Sequence, residues 1–235
     1  MASAINYILP KENLSIWNSY LTQKEMGLKK KSSLLLTEFI NNIKVLDYKL
    51  IRDFAYCLTD KHRLEDLKID FRLFENVIYP ILVSEINANN ITANRRLAQF
   101  EQFLLGSNPL FIKLKEQLNY DNVYFESADF YEREIEINNA DQIAISGFLN
   151  RLASGLNYAT HELPEYGLVW EIEYFEEELK RFKNILETYS EKEIWLNRIK
   201  HWDFVLKTWT NYLTKQNAYK NYTEYLNRTK LQFVE

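Results

Sequence analysis

Histidine is the side chain best suited to proton transfer near neutral pH, and the chain has three: His62, His161 and His201. The most interesting is His161, which is followed by the carboxylates of Glu162 and Glu165 near the end of a long predicted helix. A histidine paired with a carboxylate can serve as a general base, so a helical hydrolase is the enzymatic alternative. The other interpretation is a histidine at the C-terminal end of a long helix, where a cation meets favourable partial charge. The sequence favours this second interpretation because it identifies no further positioned group.

The spacings that mark metal, nucleophile and phosphate sites are missing from the sequence. It has no H-E-x-x-H, E-x-x-H or C-x-x-C spacing for a metal. It also has no G-x-S-x-G, G-x-x-x-x-G-K or G-x-G-x-x-G pattern. The single cysteine, Cys57, lies beside Phe54, Ala55 and Leu58 on a predicted helix, which indicates a core position. We therefore predict no metal, no cofactor and no catalytic residue.

Acidic side chains are concentrated in the middle of the sequence. Residues 121–187 carry fifteen acidic and five basic side chains, although the whole chain has a net charge of only −4. Such a surface attracts a basic partner protein, and the alternative is a set of solvated helix faces. The predicted protein-binding face consists of Asp129, Glu132, Glu136, Glu173, Glu176 and Glu177.

Nucleic acids and membranes are not expected partners. The only basic cluster, Lys24 with Lys29 to Lys31, is short and has no interleaved aromatic residues. Every apolar run is far shorter than the roughly 20 residues that a bilayer crossing needs. With one cysteine and no apolar N-terminal run, we expect a reduced, cytoplasmic protein.

The elements that carry these residues are predicted to be helices, because only five glycines and four prolines occur in 235 residues. Apolar residues recur at alternating spacings of four and three from Leu168 to Tyr189, and again from Trp195 to Leu213. Between the two stripes, Ser190 to Glu193 matches the S-x-x-E capping box that opens a helix. We predict an antiparallel hairpin of two helices here.

Weaker periodic patterns upstream complete an all-α prediction of about ten helices in successive antiparallel hairpins, forming a single helical domain over residues 1–235. Helix pairs begin near Ser33, Phe71 and Pro109, at even intervals of 38 residues. This arrangement resembles a tetratricopeptide-type helical array. We predict a loop at the charged stretch Thr59 to Lys68, and a kink or break at Pro80 because proline removes a backbone donor.

The stretch LNYATHELPEYGL, from Leu156 to Leu168, ends one predicted helix and opens the next. It resembles a segment of uncharacterised all-helical bacterial proteins. The resemblance implies a bacterial helical protein and no particular activity. Together with the missing motifs, it favours a non-catalytic protein–protein interaction module, and an immunity or antitoxin-type partner is the narrowest form of that prediction.

Overall fold

A computed structural model describes residues 5–64 and 69–232, and for residues 61–64 it describes the backbone alone. Over these ranges every regular element is helical and no strand occurs, which confirms the all-α prediction. None of the helices within them combines the length and the apolar character that a membrane crossing requires. Several of the predicted helices are divided into shorter segments.

The chain packs as two compact units, Met1–Phe130 and Tyr131–Glu235, and the single helical domain stays a prediction. The helices of the first unit are α1 Ile5–Ile8, α2 Lys11–Glu25, α3 Lys29–Ile43, α4 Tyr48–Leu64, α5 Phe71–Leu73, α6 Tyr79–Asn87, α7 Ala93–Ala98, α8 Glu101–Leu105 and α9 Asn108–Leu118. The boundary falls within α10, Ser127–Ile137. The second unit continues with α11 Gln142–Thr160, α12 Ile172–Leu186, α13 Leu196–Leu213 and α14 Tyr222–Thr229.

Aromatic side chains form the core where α2, α3 and α4 meet. The Trp17 ring lies 5.0 Å from the Phe39 ring and 5.3 Å from the Phe54 ring, measured between centroids. All three side chains are buried. Gly27 turns the chain between α2 and α3 at φ +71°, a backbone conformation that glycine adopts without a Cβ clash. The turn and the aromatic contacts together hold α2 against α3.

The structure corrects one local prediction in the first unit and shows the form of the helix at the site of another. Helix α4 continues to Leu64, so the loop predicted from Thr59 is wrong for residues 59–64, and the rest of that stretch, 65–68, lies outside the described residues. Near Pro80 the helix widens into a π-helical turn, Phe74–Ile78, and then continues as α6. The wider turn accommodates a residue that lacks an N–H and whose ring crowds the carbonyl of Asn76.

In the second unit α12 and α13 pack against each other, as the two apolar stripes predict. The Phe182 ring lies 5.3 Å from Trp195 and 5.2 Å from Trp202. The predicted capping box is replaced by a 3-10 turn, Lys192–Trp195, which has no side-chain cap. The N–H of Ser190 instead donates to Gln142 Oε1 at 3.0 Å, which ties this connection to α11.

The buried face of α13 is rotated from the predicted stripe. Trp202, Val205 and Thr208 are its buried residues, whereas Leu213 is exposed. The Thr208 hydroxyl lies 2.5 Å from the Tyr222 hydroxyl, so α14 covers this end of α13. The apolar spacing predicts that α13 is a helix but misplaces the last turns of its buried face.

Candidate functional site

His161 lies at the surface, directly after the last residue of α11. Its side chain is 48% exposed, and its ring stacks on the exposed ring of Tyr158 with centroids 4.9 Å apart. Nδ1 lies 2.5 Å from the Tyr158 carbonyl oxygen, and Nε2 lies 3.0 Å from Glu162 Oε1. Glu165 is also exposed. Both ring nitrogens therefore face neighbours from the same turn.

The structure separates the six predicted acidic residues into two groups. Asp129 Oδ2 accepts hydrogen bonds from the Tyr120 hydroxyl at 2.8 Å and from Asn122 Nδ2 at 2.5 Å. Glu132 forms an ion pair with Arg181. These two carboxylates are engaged within the fold. The four that are exposed to solvent, and so remain candidates for docking, are Glu136, Glu173, Glu176 and Glu177.

An apolar groove of about 420 Å³ lies in the first unit, between α8, α9 and the connecting segment 119–126, hereafter the groove. The sequence analysis did not identify it. Three of its lining side chains, Asn108, Lys115 and Tyr124, carry a polar group, and the other six are apolar. The lining residues are Leu104, Leu105, Asn108, Phe111, Ile112, Lys115, Val123, Tyr124 and Phe125.

The rim of the groove exposes large apolar side chains. Leu105 is 56% exposed, Ile112 50%, Val123 72% and Tyr124 71%. Below them, Leu104 and Phe125 are buried. Because all of these residues line one cavity, their exposed surfaces form one patch. Contiguous apolar patches on a folded surface mark interaction sites, whereas isolated apolar residues do not.

Helices α8 and α9, which line the groove, are separated by residues that end one helix and begin the next. Helix α8 ends at Leu105 and is followed by Gly106, where an added Cβ would lie only 3.0 Å from the carbonyl oxygen of Gln102. Pro109 lies in the first turn of α9, where its missing N–H costs nothing. Leu110 and Leu114 anchor α9 by their burial, which leaves Ile112 on the outer face.

Tyr120 holds the connecting segment in place. Helix α9 ends at Leu118. The next residue, Asn119, adopts the left-handed conformation at φ 52°, and the Tyr120 side chain then enters the core. Its hydroxyl accepts a hydrogen bond from the Glu126 N–H at 3.1 Å and donates to Asp129 at 2.8 Å. Burial raises the pKa of Tyr120 to about 12, so the hydroxyl keeps its proton at neutral pH. The wall of the groove formed by Val123 and Tyr124 is therefore fixed by hydrogen bonds.

A buried carboxylate forms a second polar feature of the first unit. Glu85, on α6, is 4% exposed. Its Oε1 accepts from the Tyr48 hydroxyl at 2.7 Å, and its Oε2 accepts from Tyr56 at 3.1 Å and from Asn90 Nδ2 at 2.8 Å. Burial, followed by the charge of Glu85, raises the pKa of Tyr56 above its ordinary value. The carboxylate joins α4 to α6.

Arg96 of α7 lies against the same tyrosine. Its guanidinium is 4.2 Å from the Tyr56 ring centroid and donates to the Thr59 hydroxyl at 2.6 Å. It also pairs with Asp60 at 2.9 Å, and its Nε donates to Thr92, a residue with φ 74°. Buried charges that are fully paired in this way stabilise one arrangement of helices. We interpret the contacts of Arg96 with Tyr56, Thr59 and Asp60 as the interactions that hold α7 against α4.

Within the described ranges, no three side chains among His, Cys, Asp and Glu are grouped so as to hold a metal ion. Among the described residues the groove is a candidate binding site, and its lining is mainly apolar with one cationic side chain, Lys115. No protein-family model, curated protein or solved structure matches this chain.

Proposed function

We propose that this protein is a non-catalytic protein-binding module and that the groove is its binding site. The observation that carries the proposal is the exposed apolar rim of Leu105, Ile112, Val123 and Tyr124 around a preformed cavity. Removing such surface from water is favourable by about 25 cal/mol per Å². An immunity or antitoxin-type partner, predicted from the sequence, belongs to this class of function.

The composition of the groove supports binding in preference to catalysis. General acid–base catalysis requires titratable groups held within hydrogen-bond reach of a substrate. The groove lining offers Lys115, the amide of Asn108 and the hydroxyl of Tyr124 beside six apolar side chains. Interfaces have an apolar centre rich in aromatic residues and a polar edge, and this lining matches that pattern.

Capture of partners from the source cell tests the proposal with two variants of matched exposure. Ile112→Glu places a charge on the rim of the groove, whereas Leu34→Glu places one on α3 at a residue that is 65% exposed and does not line the groove. We expect wild-type protein and Leu34→Glu to capture the same partner, and Ile112→Glu to lose it by about tenfold or more, because a buried unpaired charge is costly. Equal capture by Ile112→Glu, or no capture by the wild type, would contradict the proposal.

A further inference from the structure

We propose that the groove receives an amphipathic α-helix of its partner and that a carboxylate on this helix pairs with Lys115. The inference rests on the proposed function, since it names the kind of protein segment that the groove binds. Three features of the groove carry it: few lining side chains can bond to a peptide backbone, the rim is broad, and the Lys115 ammonium has no ion-pair partner among the described residues.

The side chains that line the groove offer an extended peptide few hydrogen-bond partners. An extended segment exposes an N–H and a C=O at every residue, and each such group needs a partner when it is buried. The described ranges contain no strand whose edge could pair with it. The side chains of Asn108 and Lys115 lie on one helix and cannot replace a strand. An α-helix bonds its own backbone groups, so it can lie on an apolar lining without this cost.

The rim indicates an occupant that is broader than the cavity. A small amphiphile that filled only the 420 Å³ cavity would leave the outer surfaces of Val123, at 72% exposure, and Tyr124, at 71%, in water. A helix is about 10 Å wide with its side chains and presents apolar residues at positions i, i+3, i+4 and i+7. Such a stripe can fill the cavity and also cover Ile112 and Val123 on its two sides.

Lys115 places a positive charge in the groove, and a bound segment must provide an opposite charge beside it. Its side chain is half-buried and lines the groove, with Nζ 5.9 Å from the centroid of the Phe111 ring. Among the described residues, no carboxylate forms an ion pair with this Nζ. An apolar helix laid over the groove would strip water from the ammonium, which is unfavourable unless the helix brings an opposite charge. The fitting helix therefore carries Asp or Glu beside its apolar stripe.

A displayed library of helix-forming 18-residue peptides, randomised at the positions of one face, tests the inference. The library is selected on wild-type protein and depleted on Ile112→Glu protein, so that the retained peptides depend on the groove. We expect retained peptides to carry apolar residues at i, i+3 or i+4, and i+7, with Asp or Glu adjacent, and to gain helical circular dichroism on binding.

Charge exchange then tests the role of Lys115. Lys115→Glu should weaken the retained acidic peptides by about tenfold or more, and replacing the peptide carboxylate by Lys should restore much of the affinity to that variant. Lys113→Glu is the matched control, because Lys113 lies on the same helix and does not line the groove. Thermal unfolding of both variants serves as the check that each one is folded. Equal weakening by the two variants would overturn the pairing with Lys115.

Three further results would overturn the inference. One is a set of groove-dependent peptides that bind without helical structure, and another is dodecanoate binding more tightly than any retained peptide. The third is a selection that retains no peptide sensitive to Ile112→Glu. The partner capture described above uses no peptide, so it tests protein binding by the groove separately from the helical shape and charge of the occupant.

Discussion

At the scale of single residues, charge alone does not show which carboxylates also serve the fold. Asp129, one of the predicted binding positions, accepts hydrogen bonds from Tyr120 and Asn122 that hold the segment 119–126. Tyr120 is the centre of that arrangement and is 2% exposed. The exposed apolar surface of the groove thus depends on a buried polar network beneath it.

Tyr120→Phe tests this dependence. The change leaves the Glu126 N–H and the Asp129 carboxylate without the hydroxyl, so we expect the free energy of unfolding to fall by about 1–3 kcal/mol. Amide hydrogen exchange within residues 121–126 should become faster. Tyr124→Phe is the control, because the Tyr124 ring is 71% exposed. Similar unfolding energies and exchange rates for both variants would show that the Tyr120 hydroxyl does not hold this segment.

Trp202 is the residue whose removal we expect to destabilise the second unit most clearly. Its ring is fully buried against Phe182, and its Nε1 donates to Asn157 Oδ1 at 3.3 Å. Trp202→Ala should lower the free energy of unfolding by about 3–5 kcal/mol, measured by urea denaturation. The exposed residue Leu213 on the same helix provides a control, since Leu213→Ala should cost less than about 1 kcal/mol. A loss below about 1 kcal/mol for Trp202→Ala would contradict the described packing.

At the scale of elements, the acidic face of α12 makes a separate prediction. Glu173, Glu176 and Glu177 are exposed on this helix. If a basic partner docks there, reversing all three to Lys should slow its association, and so should higher salt, because exposed charges are screened beyond about 8 Å. Each reversal should change the unfolding energy by no more than about 0.5 kcal/mol. If neither the charge reversals nor higher salt changed the association rate, this face would be a solvated surface and not a docking site.

Helix positions were predictable from the sequence because apolar periodicity is a local property. The stripe from Leu168 to Tyr189 predicted the helix observed as α12, and a helix pair was predicted to begin near Pro109, where α9 begins. The groove left a weaker local signal in adjacent apolar pairs such as Leu104 with Leu105. Only one member of such a pair can lie on the helix face that packs against the protein core, so the other faces solvent.

The polar contacts between helices cannot be predicted from local sequence patterns. Tyr48 bonds to Glu85 across 37 positions of sequence, and Arg96 bonds to Thr59 across another 37. Such pairs depend on how α4, α6 and α7 pack, and one sequence carries no periodic sign of them. For the same reason the sequence gives no sign of the ion pair between Glu132 and Arg181, 49 positions away.

At the scale of the whole molecule, buried tyrosines make stability sensitive to alkaline pH. Burial raises the pKa values of Tyr20, Tyr79, Tyr120 and Tyr222 to about 12. In the unfolded chain these groups lose their protons near pH 10. The unfolded state therefore binds fewer protons than the folded state above pH 10, and the free energy of unfolding should fall between pH 10 and pH 12.

Urea denaturation at pH 8, 10 and 11 measures this loss. Tyr222→Phe should reduce the slope above pH 10 because it removes one of the titrating hydroxyls. Tyr7→Phe is the control, since Tyr7 is 89% exposed. A free energy of unfolding that stays constant from pH 8 to pH 11 would contradict the protonated, buried state of these tyrosines.

The central claim is that the groove is the surface that binds a partner protein. Amide hydrogen exchange, measured with and without the captured partner, tests it most directly because it locates the interface without a substitution. The account predicts that the partner slows exchange in α8, α9 and residues 121–126. Slower exchange confined to α12, with no change between Leu104 and Phe125, would contradict it.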